Sequence, residues 1–419
     1  MKVIVEAKSI TGKITVPSSK SISQRACAAA LLHHGQTTIH NYGNSEDELA
    51  ALNIIQSLGA QVIIEPHKIQ VFSSGKPKSD GQINCGESGL SARLFTPIAA
   101  LNTQPVLING KGSLLQRPMH FFKESLEPLG VVFDDFSGRI PFTICGPLSP
   151  QNMVVDGSMS SQFISGLLFA FSAIAKEKVC IEVKGLVSKP YIDLTLEVLA
   201  LFGKRIRNKY YRYFEIEPAF FSSKEAMDIQ IEGDWSSAAF WIAAATIKGA
   251  VVLSGLNSNS LQADKKIWDI AQAVGASLAW QNDELHIHHK ELKAFEADLT
   301  DCPDLFPVLA VLAACCKGQS TLVGLHRLIH KESDRAKSIA ALLNLLGVVF
   351  VVEGDQLKIE GAEKLNAFKY TCPNDHRMAM AASLASLHSV GKIEIENAEC
   401  IHKSYPKFWD DLLKHQSPI

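Results

Sequence analysis

Leu346-Gly347-Val348, followed by Val349-Phe350-Val351-Val352, closes an amphipathic helical pattern at a glycine and runs directly into a strand. Glycine suits that junction because the residue after the last helical turn needs a positive φ, which glycine adopts without a Cβ clash. Four more junctions have the same form: Leu58-Gly59-Ala60, Leu129-Gly130-Val131, Phe202-Gly203-Lys204 and Val274-Gly275-Ala276. They recur about every 72 residues, a regular internal repeat longer than the common solenoid periods. Gln61 to Glu65 and Ser277 to Trp280 follow their glycines as strands, like Val348 to Val352.

A second signature is interleaved with the first: a polar or acidic cap, an Ala/Leu/Phe-rich helix, then a strand. Its copies begin at Ser18, Gly86-Glu87-Ser88, Gly157-Ser158, Gly233-Asp234, Cys302-Pro303-Asp304 and Cys372-Pro373-Asn374-Asp375. The helices Phe163 to Ile174, Ala238 to Ile247, Phe306 to Cys316 and Met378 to Leu387 are apolar nearly all round, so they belong in domain centres. The glycine-terminated helices are amphipathic and cover the outside. The pattern is α/β, with six β-α-β-α-β-β units. The sixth unit ends at its outer helix, Tyr405 to Lys414, and the strand pair it lacks is expected from Val3 to Glu6 and Lys13 to Val16. The expected domains are therefore 19–230, and 1–18 plus 231–419, three repeats each. The expected crossings lie near Pro17–Ser19 and Ile229–Gly233, with a ligand cleft between the domains.

The 419 residues carry a net charge of -2, which gives no basic field for nucleic acid. Nine scattered cysteines without Cys-x-x-Cys spacing, and no signal peptide, read as reduced thiols in the cytoplasm. The longest apolar run, Phe306 to Cys316, is too short to span a bilayer.

Unusual polar residues gather where helices begin. Val16-Pro17-Ser18-Ser19-Lys20-Ser21-Ile22-Ser23-Gln24-Arg25 places an ammonium, a hydroxyl and a guanidinium at a helix N-terminus, with Ser18 or Ser19 as its N-cap. Taken alone, this stretch is a capped helix with two solvated cations; the other starts change that reading. Inner helices begin with Arg93, with Ser160, Ser161 and Gln162, with Asp304, and with His376 and Arg377. Outer helices begin with Arg117, with Ser188 and Tyr191, with Lys331, Glu332 and Arg335, and with Lys403. So many donors imply a ligand with several negative charges, and Asp304 and Glu332 among the cations are acid/base candidates. A structural ion-pair network is the plainer alternative.

Five motifs together resemble the EPSP synthase family of enolpyruvyl transferases. They are Pro17 to Arg25, Asp156 to Phe163, Val187 to Asp193, His330 to Arg335 and Asn374 to Met380, in the family's order over the whole chain. The resemblance implies two inside-out α/β domains and transfer of the enolpyruvyl group of phosphoenolpyruvate to the 5-hydroxyl of shikimate 3-phosphate. The reaction would pass through a tetrahedral intermediate and need no metal or organic cofactor. By the same resemblance Lys20, Ser21, Arg25, Ser160, Ser161, Gln162, Ser188, Tyr191, Asp304 and Lys331 hold shikimate phosphate. Lys20, Gly89, Arg117, Gln162, Arg335, Arg377 and Lys403 hold phosphoenolpyruvate, with Arg335 and Arg377 on its carboxylate. The resemblance implies that Asp304 would take the hydroxyl proton and Glu332 serve the methylene carbon, with the acid and base of each step open between the two carboxylates, and that Lys20 completes the catalytic set. The implied protein is a cytoplasmic monomer acting on two small molecules, with neither nucleic acid nor membrane as partner.

Two places depart from the family pattern. Gly86-Glu-Ser-Gly-Leu-Ser-Ala-Arg93 stands where Gly-Asn-Ala-Gly-Thr-Ala-Met-Arg is usual, and Arg327 replaces an Asn. Glu87 near the phosphate site is expected to be neutralised by Arg93 or Lys20, to point away, or to cap the inner helix. The nearest rivals are a related transferase acting on another hydroxyl, such as that of UDP-N-acetylglucosamine, and a relative with weakened catalysis. The first would carry a cysteine before Arg117, where Ser113-Leu114-Leu115-Gln116 stands. A ring clamp on DNA would need basic inner helices, and these are apolar. Gly110-Lys-Gly-Ser113 reads as a turn rather than a phosphate loop, and His286, His288 and His289 as a solvated strand.

Overall fold

Gly59, Gly130, Gly203, Gly275 and Gly347 take φ of +94°, +89°, +71°, +115° and +74° in the computed structural model, the left-handed turn that the junctions predict. The structure describes residues 1–79, 81–134, 136–158, 160–219, 225–329 and 331–417; Met159 and His330, each inside a quoted motif, lie outside the described residues.

After β1 (Lys2–Val5), the first repeat runs β2 (Ile10–Thr15), α1 (Lys20–Leu32), β3 (His34–His40), α2 (Glu46–Ser57), β4 (Gln61–Glu65) and β5 (Lys68–Ser74). The second is β6 (Gln82–Asn84), α3 (Gly89–Ala99), β7 (Val106–Asn109), a 3-10 turn Gly112–Gln116, α4 (Phe121–Leu126), β8 (Val132–Asp134) and β9 (Phe142–Cys145). The third is β10 (Met153–Asp156), α5 (Ser161–Ile174), β11 (Val179–Lys184), α6 (Lys189–Leu201), β12 (Ile206–Lys209) and β13 (Tyr213–Ile216). The fourth is β14 (Met227–Gln230), α7 (Trp235–Lys248), β15 (Gly249–Ser254), a 3-10 turn Ala263–Lys266, α8 (Ile267–Val274), β16 (Ser277–Gln281) and β17 (Glu284–His288). The fifth is β18 (Glu296–Asp298), a 3-10 turn Pro303–Leu305, α9 (Phe306–Ala314), β19 (Gln319–Val323), α10 (Arg335–Leu346), β20 (Phe350–Glu353) and β21 (Gln356–Glu360). The sixth is β22 (Lys369–Thr371), α11 (His376–Leu384), β23 (Ile393–Glu396), a 3-10 turn Ala398–Lys403 and α12 (Phe408–His415).

The chain divides into two units, Ser18–Glu232 and Met1–Pro17 with Gly233–Ile419. Among the described residues the strands form six sheets. In the second, third and fifth repeats the first two strands run parallel and a hairpin closes the edge, as in the order β10-β11-β13-β12.

The N-terminal strands correct one expectation. β1 completes the sixth sheet, antiparallel to β23, but β2 runs parallel to β15 in the fourth. Conversely β14, which opens the fourth repeat, pairs with β3 in the first sheet. Connectivity explains the exchange: each of these strands precedes a crossing between units and stays on its own side. In the larger-numbered unit Val16 N–H donates to Ser254 O at 3.0 Å and Asp234 N–H to Pro17 O at 2.8 Å; in the other, Ser19 N–H donates to Glu232 O at 2.8 Å.

Helices α1, α3 and α5 are packed together at the centre of unit Ser18–Glu232, and α7, α9 and α11 at the centre of the other. Side chains bury on all faces, as their apolar composition requires. Gly166 lets α5 approach α3: a Cβ there would lie 2.7 Å from Leu94 O and 2.8 Å from Arg93 O. That approach brings the starts of the two helices together. No helix among the described residues is long and apolar enough to cross a membrane.

Candidate functional site

Helix starts differ in how their first N–H groups are satisfied. Ser45, Ser88, Asp234, Asp334 and Asp375 cap α2, α3, α7, α10 and α11 with their side chains. Ser19, Ser160 and Ser188 stand at the N-caps of α1, α5 and α6 without a side-chain capping bond. This corrects the expectation for Ser18 and Ser19, because Ser18 Oγ donates to Glu48 Oε1 at 3.1 Å instead. Leaving donors at a helix N-terminus uncapped keeps them for an anion.

The same three helices meet at Arg25. This guanidinium is fully buried, donating from Nε to Thr195 Oγ1 at 2.8 Å, from Nη1 to Ser21 O at 2.8 Å and from Nη2 to Tyr191 O at 3.0 Å. Ser165 Oγ extends the network, bonding Ser161 O and Thr195 Oγ1. Burial lowers the Arg25 pKa to about 10, and no carboxylate pairs with it among the described residues. Lys20, the first residue of α1, reaches Asp47 Oδ2 at 2.8 Å. Gly89 opens α3 beneath two more guanidinium groups. A Cβ at that position would overlap Arg117 Nη1 and lie 2.9 Å from Arg93 Nη1, so both guanidinium groups sit closer to the helix start than they could above a side chain. Arg93 Nη1 also donates to Gln162 Oε1 at 3.2 Å. The structure thus joins Ser21, Arg25, Ser161 and Tyr191 in one network, and Gly89, Arg93, Arg117 and Gln162 in another.

The other unit gathers charge around Asp304, on the 3-10 turn before α9. Its Oδ1 accepts from Arg335 Nη1 at 2.6 Å and Lys331 Nζ at 3.2 Å, and its Oδ2 lies 3.1 Å from Arg377 Nη2. Burial pushes this carboxyl up, but Arg377, Lys331 and Arg335 outweigh it and hold the pKa well below the carboxylate range. Arg335 is fully buried and touches three acids, adding Glu332 Oε2 at 2.5 Å and Asp375 Oδ2 at 2.8 Å. Burial lowers its pKa, yet Asp375, Glu332 and Asp304 together raise it well above the ordinary value. Arg377 bonds His376 Nε2 through Nη1 at 2.8 Å, and Lys403 donates to Asn374 O at 2.8 Å.

The family model described as EPSP synthase (3-phosphoshikimate 1-carboxyvinyltransferase) matches residues 4–412. The chain belongs to the EPSP synthase family. It is 35% identical to the 3-phosphoshikimate 1-carboxyvinyltransferase of Clostridium perfringens, over 98% of this chain and 97% of that one. Identity to the enzyme of the same name from Clostridium kluyveri is 33%, over 98% and 96%. The solved EPSP synthase of Acinetobacter baumannii superposes with a TM-score of 0.84 and 25% identity, covering 99% of this chain and 98% of that one. The inside-out α/β architecture is that of the family, and the chain is a transferase of that family.

Several residues of these networks escaped sequence reasoning. Asp47, Thr195, Ser165 and Asp375 act as partners, and Asp375 was visible only as an N-cap within Asn374-Asp-His-Arg377. Asp264, on the 3-10 turn Ala263–Lys266, is another. Its Oδ2 accepts from Ser236 Oγ, and its Oδ1 has no hydrogen-bond partner among the described residues. Burial, with Asp304 adding to it and Arg377 opposing, pushes this carboxyl up to about 7 from 3.8. A carboxyl raised on folding stabilises fully below its unfolded pKa and loses that contribution as pH climbs through the folded value. Asp264→Asn should therefore gain stability relative to the native chain between about pH 4 and 7, on the order of a few kcal/mol. Denaturant midpoints across that range check it; a constant difference between the two chains counts against it.

Proposed function

We propose that the two clusters divide the work of 3-phosphoshikimate 1-carboxyvinyl transfer as the residues of each allow. Lys20, Ser21, Arg25, Ser160, Ser161, Gln162, Ser188 and Tyr191 hold shikimate phosphate, with Asp304 and Lys331 on its ring hydroxyls. A buried guanidinium with no carboxylate on it among the described residues, at the meeting of three helices whose N-cap serines make no side-chain capping bond, supports that assignment. Lys20, Gly89, Arg117, Gln162, Arg335, Arg377 and Lys403 hold phosphoenolpyruvate. The forked guanidinium groups of Arg335 and Arg377 suit its carboxylate.

The observation that carries the chemistry is Asp304 among Lys331, Arg335 and Arg377. With three cations on it, Asp304 is ionised and a weak base. A substrate carboxylate on Arg335 and Arg377 shares their charge and strengthens Asp304 as a base. Asp304 then takes the proton of the 5-hydroxyl as its oxygen bonds to C2 of phosphoenolpyruvate, while Glu332 serves protonation at the methylene carbon. Lys20 and Arg117 steady the phosphate, which leaves when the methylene proton is removed again. The Cys302, Cys315 and Cys316 thiols, raised by burial, belong to the packing rather than to the reaction.

We place this enzyme in the cytoplasm, where its nine free cysteines stay reduced. We further propose that it acts as a monomer, with every residue assigned above drawn from one chain. Phosphate release from phosphoenolpyruvate tests the reading: it should require shikimate 3-phosphate. Release that ignores that substrate, or that requires a different hydroxyl compound, overturns it.

A further inference from the structure

Glu87 neither caps α3 nor turns away from the protein. Ser88 is the cap, its Oγ accepting from Ser91 N–H at 3.2 Å. Glu87 Oε2 accepts from Ser113 N–H at 3.2 Å and from Ser113 Oγ at 3.1 Å, both on the 3-10 turn that leads to Arg117. Lys111 N–H donates to Gly86 O at 2.7 Å one step earlier, and Gly89 lies beneath the Arg117 guanidinium one step later. The segments 86–89 and 111–117 are thus clasped at three successive places, and Glu87 is the middle one. The turn fits closely around it: Gly112, at φ +57°, has the Glu87 carboxyl where a Cβ would stand. Leu114 is fully buried and anchors the same turn, and Arg117 N–H closes it on Leu114 O at 3.1 Å.

We propose that Glu87 is a positioning residue for phosphoenolpyruvate, holding Arg117 over Gly89 through Ser113. The inference rests on the reading above that Arg117 binds this substrate. A carboxylate accepts two donors from one turn, which fixes the turn's rotation as well as its distance. Arg117 has four side-chain torsions, so its head group is only as well placed as the backbone carrying it. The effect of Glu87 on the substrate passes through the turn and Arg117.

Steady-state kinetics on full-length variants test this. Glu87→Ala should raise the KM for phosphoenolpyruvate about tenfold, with kcat within about threefold and the KM for shikimate 3-phosphate unchanged. Glu87→Gln, which still accepts from Ser113, should keep the KM for phosphoenolpyruvate within about twofold. Ser113→Ala removes one donor and should fall between them, which keeps the test open if Glu87→Ala folds poorly. Arg117→Ala should raise the same KM, and Glu87→Ala combined with it should add nothing more. An unchanged or lowered KM in both Glu87→Ala and Ser113→Ala, while Arg117→Ala raises it, overturns the clasp. So does a Glu87→Gln variant as impaired as Glu87→Ala. If Arg117→Ala itself leaves this KM unchanged, the substrate role of Arg117 fails instead.

Discussion

Asp304→Asn will lower kcat by about 10²–10⁴-fold while leaving phosphoenolpyruvate bound as well as before, or better. Asparagine keeps the shape of the side chain and an acceptor for Lys331 and Arg335, so the cluster stays assembled. What it loses is the site that the proposed mechanism gives to the hydroxyl proton. It also loses the negative charge that occupies Lys331, Arg335 and Arg377 at 3.2, 2.6 and 3.1 Å. Those cations then face the substrate carboxylate with less competition, so the KM for phosphoenolpyruvate should fall or hold steady. A loss of binding contact alone would raise KM and spare kcat. Initial rates of phosphate release over a grid of both substrates separate the two, and a kcat within about threefold of the native chain removes Asp304 from the base role.

The architecture was legible because it is repeated. Glycine at five of the six outer-helix termini and an apolar inner helix in each repeat leave a local signature five or six times over, so chance resemblance at one place is corrected by the others. The exchange of β2 and β14 left no such trace. Both strands have the pattern their sheets require, and only the two crossings decide which sheet each joins. The site was legible in its cations and less so in its anions. Lys20, Arg25, Arg335 and Arg377 lie in dense motifs at helix starts, where charge is conspicuous. Their partners lie far along the chain: Asp47 is 27 residues from Lys20, Thr195 is 170 from Arg25 and Asp375 is 40 from Arg335. Nothing local marks a threonine inside α6 as the acceptor of a buried guanidinium. Ser19 misled for the opposite reason. Its position and type fit an N-cap, yet α1 leaves that bond unmade at the helix start that the proposal gives to an anion.

Arg335 is expected to be as important to stability as to binding. Its guanidinium is fully buried against Asp304, Glu332 and Asp375, and Asp375 is itself inaccessible to solvent. Arg335→Leu fills much of the same volume but leaves three carboxylates facing one another, so unit Met1–Pro17 with Gly233–Ile419 should lose about 3–5 kcal/mol. Arg335→Lys keeps the charge but offers one compact donor group in place of a rigid fork. It should lose less stability while still weakening phosphoenolpyruvate. The pH dependence separates charge from packing. Asp304 is held low in the native chain, so its pairing stabilises above the unfolded value of 3.8 and is lost as pH falls through the folded one. In Arg335→Leu the cation is gone, and protonating a carboxyl relieves the repulsion instead of breaking a pair. The deficit against the native chain should therefore shrink as pH is lowered from 7 toward 4, read as the difference in chemical-denaturation midpoints. A deficit that stays constant over this range would mean that the guanidinium fills space there and that its three ion pairs contribute little.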